Sequence, residues 1–98
     1  MIFEIVLTLD AIEDLRMLRK RERQQILEEV ENQLKYQPGD VTRNRKKLRP
    51  NRMAEWELRM GRFRVFYDVD EIARQVKIEA VGYKKGSKLL IHGEEYQL

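Results

Sequence analysis

Five charged side chains crowd one short stretch of this sequence. In "AEWELRMGRFRVFYDV", residues 54 to 69, Glu55, Glu57, Arg59, Arg62 and Arg64 share one side of an alternation that turns at Gly61. Such groups can pair across a sheet, each pair contributing only about 0.2–1 kcal/mol, and do no more than keep it soluble. They can also do chemistry, since a guanidinium is permanently charged and holds two phosphate oxygens at once. A second cluster lies just upstream. "RNRKKLRPNR", from Arg43 to Arg52, holds six Lys or Arg and no acid, in a chain whose net charge is only +3. Clustering of one sign points to a polyanionic partner, although a solvated loop would have the same composition.

Little else in the chain competes for chemistry. There is no cysteine, which removes disulfides, thiolate metal sites and cysteine nucleophiles and suits a reducing compartment. No Gly-rich phosphate loop, His/Asp metal spacing or Ser/His/Asp set stands out, so no metal or cofactor is expected. His92, the single histidine, could serve as a general acid if the tail folds over the charged face; as a surface residue it would serve nothing.

The elements that must position these residues are legible from periodicity. A chain of 98 residues, 42% hydrophobic, predicts one domain spanning 1–98 around one small core. No apolar run approaches the roughly 20 residues of a membrane span, and "MIFEIVLTLD" has Glu4 in its apolar run and no basic start, so a cytoplasmic protein without a secretory leader is expected. "IFEIVL" reads as a strand buried on both faces. Thr8 can cap a helix whose stripe is Ala11, Ile12, Leu15 and Leu18. After the basic break "RKRER", Ile26, Leu27, Val30 and Leu34 mark a second helix, ended by "YQPGD", where Gly39 can take a positive φ. Trp56, Leu58 and Met60, then Phe63, Val65, Tyr67 and Val69, then Val76, Ile78 and Ala80 alternate with charged residues as an antiparallel meander. The fold class is therefore α+β: an N-terminal strand and helical hairpin packed on one face of a mainly antiparallel sheet. Glu55, Glu57, Arg59, Arg62, Arg64, Lys77 and Glu79 should share the uncovered face. Phe66 belongs there too, able to stack on a base or, the simpler reading, to pack against the tail.

The sequence resembles the RelE/ParE superfamily, the toxins of bacterial type II toxin–antitoxin pairs. "AIEDLRMLRK" is similar to the family's Ala-x-x-Asp-Leu-x-x-Leu opening, and "KKLRP", "WELRMGRFRVFYDV" and "VKIEAVGYKKG" follow its later motifs across nearly the whole chain. The resemblance implies the fold just read from pattern. It leaves activity open between two classes on one fold: RelE-type members cut mRNA on the ribosome without a metal, by attack of the ribose 2′-OH on the neighbouring phosphate, and ParE-type members inhibit DNA gyrase. A member that has lost activity and only binds a partner or RNA is the third reading. A cognate antitoxin, small, acidic and partly disordered, is the implied partner, with mRNA and ribosome or, alternatively, gyrase as target, and no membrane.

Metal-free RNA cleavage needs a base for the 2′-OH, charge to stabilise the phosphorus centre and an acid for the leaving 5′ oxygen. Arg64 matches the arginine of the aromatic-Arg-Val-x-Tyr motif that supports the phosphate in the nucleases. Ribosome-dependent members carry two lysines where this chain has Glu55 and Glu57. Some family nucleases use a glutamate as base, a role open to Glu57, and Lys46, Lys47 and Arg49 could supply the displaced charge. The implied catalytic set is Arg64, Glu57, Arg59, Lys84 and Lys85; Arg45, Lys46, Lys47, Arg49, Arg62 and Tyr83 are the implied RNA contacts. For the glutamates, cross-strand ion pairing is the simpler role.

Overall fold

The computed structural model describes residues 2–98. In chain order it comprises β1 (Glu4–Leu7), α1 (Leu9–Arg16), α2 (Lys20–Leu34), β2 (Arg45–Lys47), β3 (Trp56–Met60), β4 (Phe63–Asp70), β5 (Gln75–Lys85), β6 (Lys88–Ile91) and β7 (Glu94–Tyr96). Strand β5 organises the sheet. One of its edges pairs antiparallel with β4 from Phe63↔Tyr83 to Asp70↔Gln75. Its other edge is shared: β1 runs parallel to it from Glu4↔Gln75 to Leu7↔Ile78, and β6 runs antiparallel from Tyr83↔Leu90 to Lys85↔Lys88. The strand order is β2-β3-β4-β5-β6-β7, with β1 beside β5. This is the expected α+β arrangement. The basic segment is not all loop, since it contributes β2, and the tail forms a hairpin.

The helices start and dock as their sequences require. The Thr8 hydroxyl accepts from the Ala11 N–H and reaches the Ile78 and Glu79 carbonyls, so one side chain caps α1 and ties it to β5. Helix α2 buries Ile26, Val30 and Leu34 at four-residue spacing, whereas Leu27, expected in the stripe, lies on the exposed rim. The left-handed residue after α2 is Gln37, with φ 45, and not Gly39. Strand β1 is also less enclosed than its apolar run suggests: Glu4 is exposed and Ile5, Val6 and Leu7 are half-buried, because β1 pairs with β5 alone and only Ile5 and Leu7 face the helix-side cluster.

Two hydrophobic clusters result, one on each side of the sheet. Beneath the helices, Leu15, Ile26, Val30 and Leu34 meet Trp56, Leu58, Val65, Tyr67 and Ile78. Trp56 and Tyr67 stack with ring centres 6.1 Å apart. The Tyr67 hydroxyl donates to the Pro38 carbonyl at 3.1 Å, and burial pushes its pKa up to about 12. On the opposite side Phe66 is fully buried under Leu89 and Ile91, with Tyr96 and Leu98 packed against them. Phe66 thus packs against the tail and has no face free for a base.

A β-bulge corrects the parity expected for β5. The register passes from Phe66↔Ala80 to Tyr67↔Ile78, which leaves Glu79 without a partner. Beyond that extra residue every side chain changes side. Ala80 joins the open-face cluster and Val81 the helix-side core, the reverse of the simple alternation. Gly82 stands opposite Arg64 where β6 comes closest; a Cβ there would lie 2.6 Å from the Leu90 carbonyl oxygen. Only a residue without a side chain permits that approach.

Candidate active site on the open face

Strands β3 and β4 are joined by a two-residue turn, with Met60 opposite Phe63 and Gly61 at φ 57, the conformation a tight hairpin requires at its first central position. The register then sets Arg59 directly opposite Arg64 and Glu57 opposite Phe66. On the other edge of β3, Lys46 stands opposite Glu57. Lys46, Glu57, Arg59 and Arg64 line a cleft of about 310 Å³ together with Lys84 from β5, Lys88 from β6 and Glu95 and Tyr96 from β7.

Two features of the cleft are costly unless a ligand answers them. Like charges directly opposite each other on a sheet repel, and Arg59 and Arg64 are so placed. Beside them the Glu57 side chain is only 8% exposed, and its Oε2 has no hydrogen-bond partner among the described residues. Arg59 Nε approaches that oxygen to 3.5 Å, an ion-pair distance without hydrogen-bond geometry. A buried carboxylate oxygen left without a hydrogen bond costs about 1–3 kcal/mol, an amount the Arg59 contact offsets in part. Arg64 donates through Nη1 to the Gly61 and Phe63 carbonyls, at 2.7 and 2.8 Å, which aims the guanidinium along the hairpin. Burial pulls its pKa below the ordinary value; Glu57 acts against that shift and Arg59 adds to it. The arrangement suits an anion held between the arginines, with a hydroxyl donor facing Glu57.

Of the residues named from sequence, the fold brings Glu57, Arg59, Arg64, Lys84 and Lys46 into this cleft. Glu57 pairs along its own strand with Arg59 and not across the hairpin, the geometry expected of a purely structural glutamate. Six others stand elsewhere: Lys47 and Arg49 beside a neighbouring cavity, and four away from both. Arg62 turns to the helix side, where it bonds Glu22 at 3.0 Å and lies over the Phe63 and Tyr83 rings. Tyr83 follows it, since the Glu79 bulge reverses its parity. Lys85, one residue past Lys84 on β5, is absent from the cleft lining. Arg45 is the clearest correction: opposite Leu58 it faces the covered side, is buried, and donates to the Gln37 carbonyl at 2.8 Å and to Thr42 Oγ1. Its role is to close the loop after α2. Arg45→Ala should therefore lower stability by about 1–3 kcal/mol, to be checked by denaturant unfolding.

Lys47 and Arg49 line a neighbouring cavity of about 620 Å³ beneath the 48–55 loop. Asn51 orders that loop, accepting from the Met53 and Ala54 N–H groups and donating to the Arg49 and Ala54 carbonyls. The floor of the cavity carries Asp68 and the bulge residue Glu79. Asp68 accepts from the Glu55 N–H at 2.8 Å, and Glu55 is exposed at the cavity's rim. Burial, then the hydrogen bond and charge of Asp68, push Glu79 from 4.5 up to about 7. A carboxyl raised in this way stays protonated in the folded chain while the unfolded chain is ionised. Its contribution is thus complete below pH 4.5 and lost as pH rises toward 7. Glu79→Gln should flatten that part of the stability profile and raise stability at pH 8 by up to about 1 kcal/mol, the group being partly exposed. Thermal melts at a series of pH values check it; a parallel profile would show that Glu79 bears no raised proton.

Sequence reasoning missed Lys88, Glu95 and Tyr96, which reach the cleft through the tail hairpin. "KLLIHGEEYQL" did carry a signal, a positive-φ turn at His92–Gly93 between two short alternating runs. His92 itself is on the helix side against Asp14 and takes no part in the cleft.

No family model matches this chain, and no curated protein matches it. Among solved structures it is similar to the toxin–antitoxin complex RelBE2 from Mycobacterium tuberculosis, with a TM-score of 0.73 and 25% identity over 86% of this chain and 100% of the matched one. Among the described residues no helix is long and apolar enough to cross a membrane. Two helices on one face of a seven-stranded, mainly antiparallel sheet complete the match: the chain has the fold of a RelE-type toxin.

Proposed function

We propose that this protein is the toxin of a type II toxin–antitoxin pair and that it acts as a metal-free endoribonuclease on mRNA in the translating ribosome. The observation that carries the reading is the facing pair Arg59 and Arg64 beside the buried Oε2 of Glu57, which has an ion-pair contact to Arg59 but no hydrogen bond. In the proposed step Glu57 takes the proton of a ribose 2′-OH, and the 2′ oxygen bonds to the adjacent phosphorus. Arg59 and Arg64 hold its non-bridging oxygens as negative charge builds there. The bond from phosphorus to the 5′ oxygen breaks, and Lys84 delivers a proton to the leaving group. The products are a 2′,3′-cyclic phosphate and a 5′-hydroxyl end. Lys46 and Lys88, on opposite walls, add positive charge along the strand. A cognate antitoxin completes the pair; the similarity to one half of a toxin–antitoxin complex supports that partner.

Induced alone in a bacterial host, the protein should arrest growth with translation stopping before replication, followed as amino-acid and thymidine incorporation. Replication stopping first, with DNA breaks, would transfer the protein to the gyrase-inhibitor class. Unimpaired growth at high expression would mark it as inactive.

A further inference from the structure

One wall of the cleft is the β6–β7 hairpin, which presents Lys88, Glu95 and Tyr96 to it. Only three residue pairs, Tyr83↔Leu90 to Lys85↔Lys88, join that hairpin to β5. Between Ile78, where β1 ends, and Tyr83, where β6 begins to pair, no strand covers this edge of β5. A side chain fills this gap in the ladder. Asp14, on α1, is buried, and its Oδ2 accepts the Val81 N–H at 2.9 Å, as a neighbouring strand would. Its other oxygen, Oδ1, lies 2.6 Å from His92 Nδ1, at the turn of the hairpin. With Asp14 ionised, Nδ1 is the donor of this contact. His92 Nε2 is 3.9 Å from Asp10 Oδ2, on the same helix. One carboxylate thus joins α1, the open edge of β5 and the hairpin turn.

We infer that His92 is a positioning residue: gripped by Asp14 on the helix side of the sheet, it fixes the hairpin whose opposite face walls the cleft. Burial raises the Asp14 carboxyl, and the Val81 N–H and then His92 act against that rise. The effect on cleavage rests on the nuclease reading; the effect on the hairpin does not.

The turn supplies a clean comparison. His92 has φ 55 and Gly93 φ 78, so a substitute must tolerate the left-handed region. Glycine and asparagine both do, but only asparagine keeps a donor near the Nδ1 position. Hydrogen exchange should show the β6 and β7 amides of His92→Gly opening at least about tenfold faster, with β3, β4 and the β4-paired amides of β5 unchanged. Cleavage should fall with it, and the NMR signals of Lys88 and Tyr96 should shift. His92→Asn should restore all three. Unaltered hairpin exchange, acceleration spread evenly through every strand, or an Asn variant no better than the Gly variant would overturn the inference. So would a loosened hairpin with cleavage intact. Exchange and NMR shifts need no RNA, so they decide whether His92 holds the hairpin even if the parent protein cleaves nothing; that result would count against the nuclease reading alone.

Discussion

Arg64→Ala should fold, bind its antitoxin and lose cleavage of ribosome-bound mRNA by more than about a hundredfold, on the order of 3 kcal/mol of transition-state stabilisation. The size of the loss separates two roles. As a structural residue Arg64 contributes only its bonds to the Gly61 and Phe63 carbonyls at the end of a surface hairpin. Removing them should cost about 0.5–1.5 kcal/mol of stability. The change also relieves the repulsion from Arg59 across the strand pair, which offsets part of that cost. A catalytic Arg64 acts on charge that exists only as the phosphorus centre becomes five-coordinate, so the rate should fall far more than the stability. Single-turnover cleavage on purified ribosomes, beside a denaturant titration, measures both. An Arg64→Ala protein as toxic as its parent would end the nuclease interpretation of this face.

Glu57→Gln should move stability and activity in opposite directions. The parent holds a carboxylate oxygen in a buried place with no hydrogen-bond partner. Glutamine keeps the shape and removes the charge, so the melting temperature should stay level or rise, because desolvating an amide costs less than desolvating a carboxylate. Glutamine cannot accept a proton from a 2′-OH, and the cleavage rate should fall by about 10²–10⁴. A gain in stability with loss of function is the signature of a residue kept for chemistry. If the variant cleaves at the parental rate, Glu57 is not the base, and its burial is a cost for which this cleft offers no return.

The sequence made both helices and strands β3 and β4 legible because most of their apolar residues obey a single period. Ala11 and Leu15, Ile26 and Val30, Trp56 and Leu58 are buried where those periods place them. Errors began where a period breaks without a sign. Nothing in "KIEAVGY" announces that Glu79 is an extra residue, so the alternation carried through it misplaced Ala80, Val81 and Tyr83. Arg62 was misassigned because its partner Glu22 lies 40 residues away on α2, and charge alone cannot say which acid will be near. Arg45 looked like its five basic neighbours; only the register opposite Leu58 turns it inward. Asp14 and His92 meet across 78 positions, beyond any local pattern. Within the site, Glu57, Arg59 and Arg64 were readable because one hairpin holds all three. The wall opposite them, built from the tail, was not.

That wall is also separate from the principal core. The cluster beneath the helices draws on no residue beyond Val81, and the wall joins β5 through Tyr83↔Leu90 to Lys85↔Lys88. Segments held by few contacts open locally at a smaller free-energy cost than the whole fold. Lys88, Glu95 and Tyr96 can therefore swing away while Arg59 and Arg64 keep their places on the β3–β4 hairpin. The cleft can lose one side and regain it with the rest of the sheet intact.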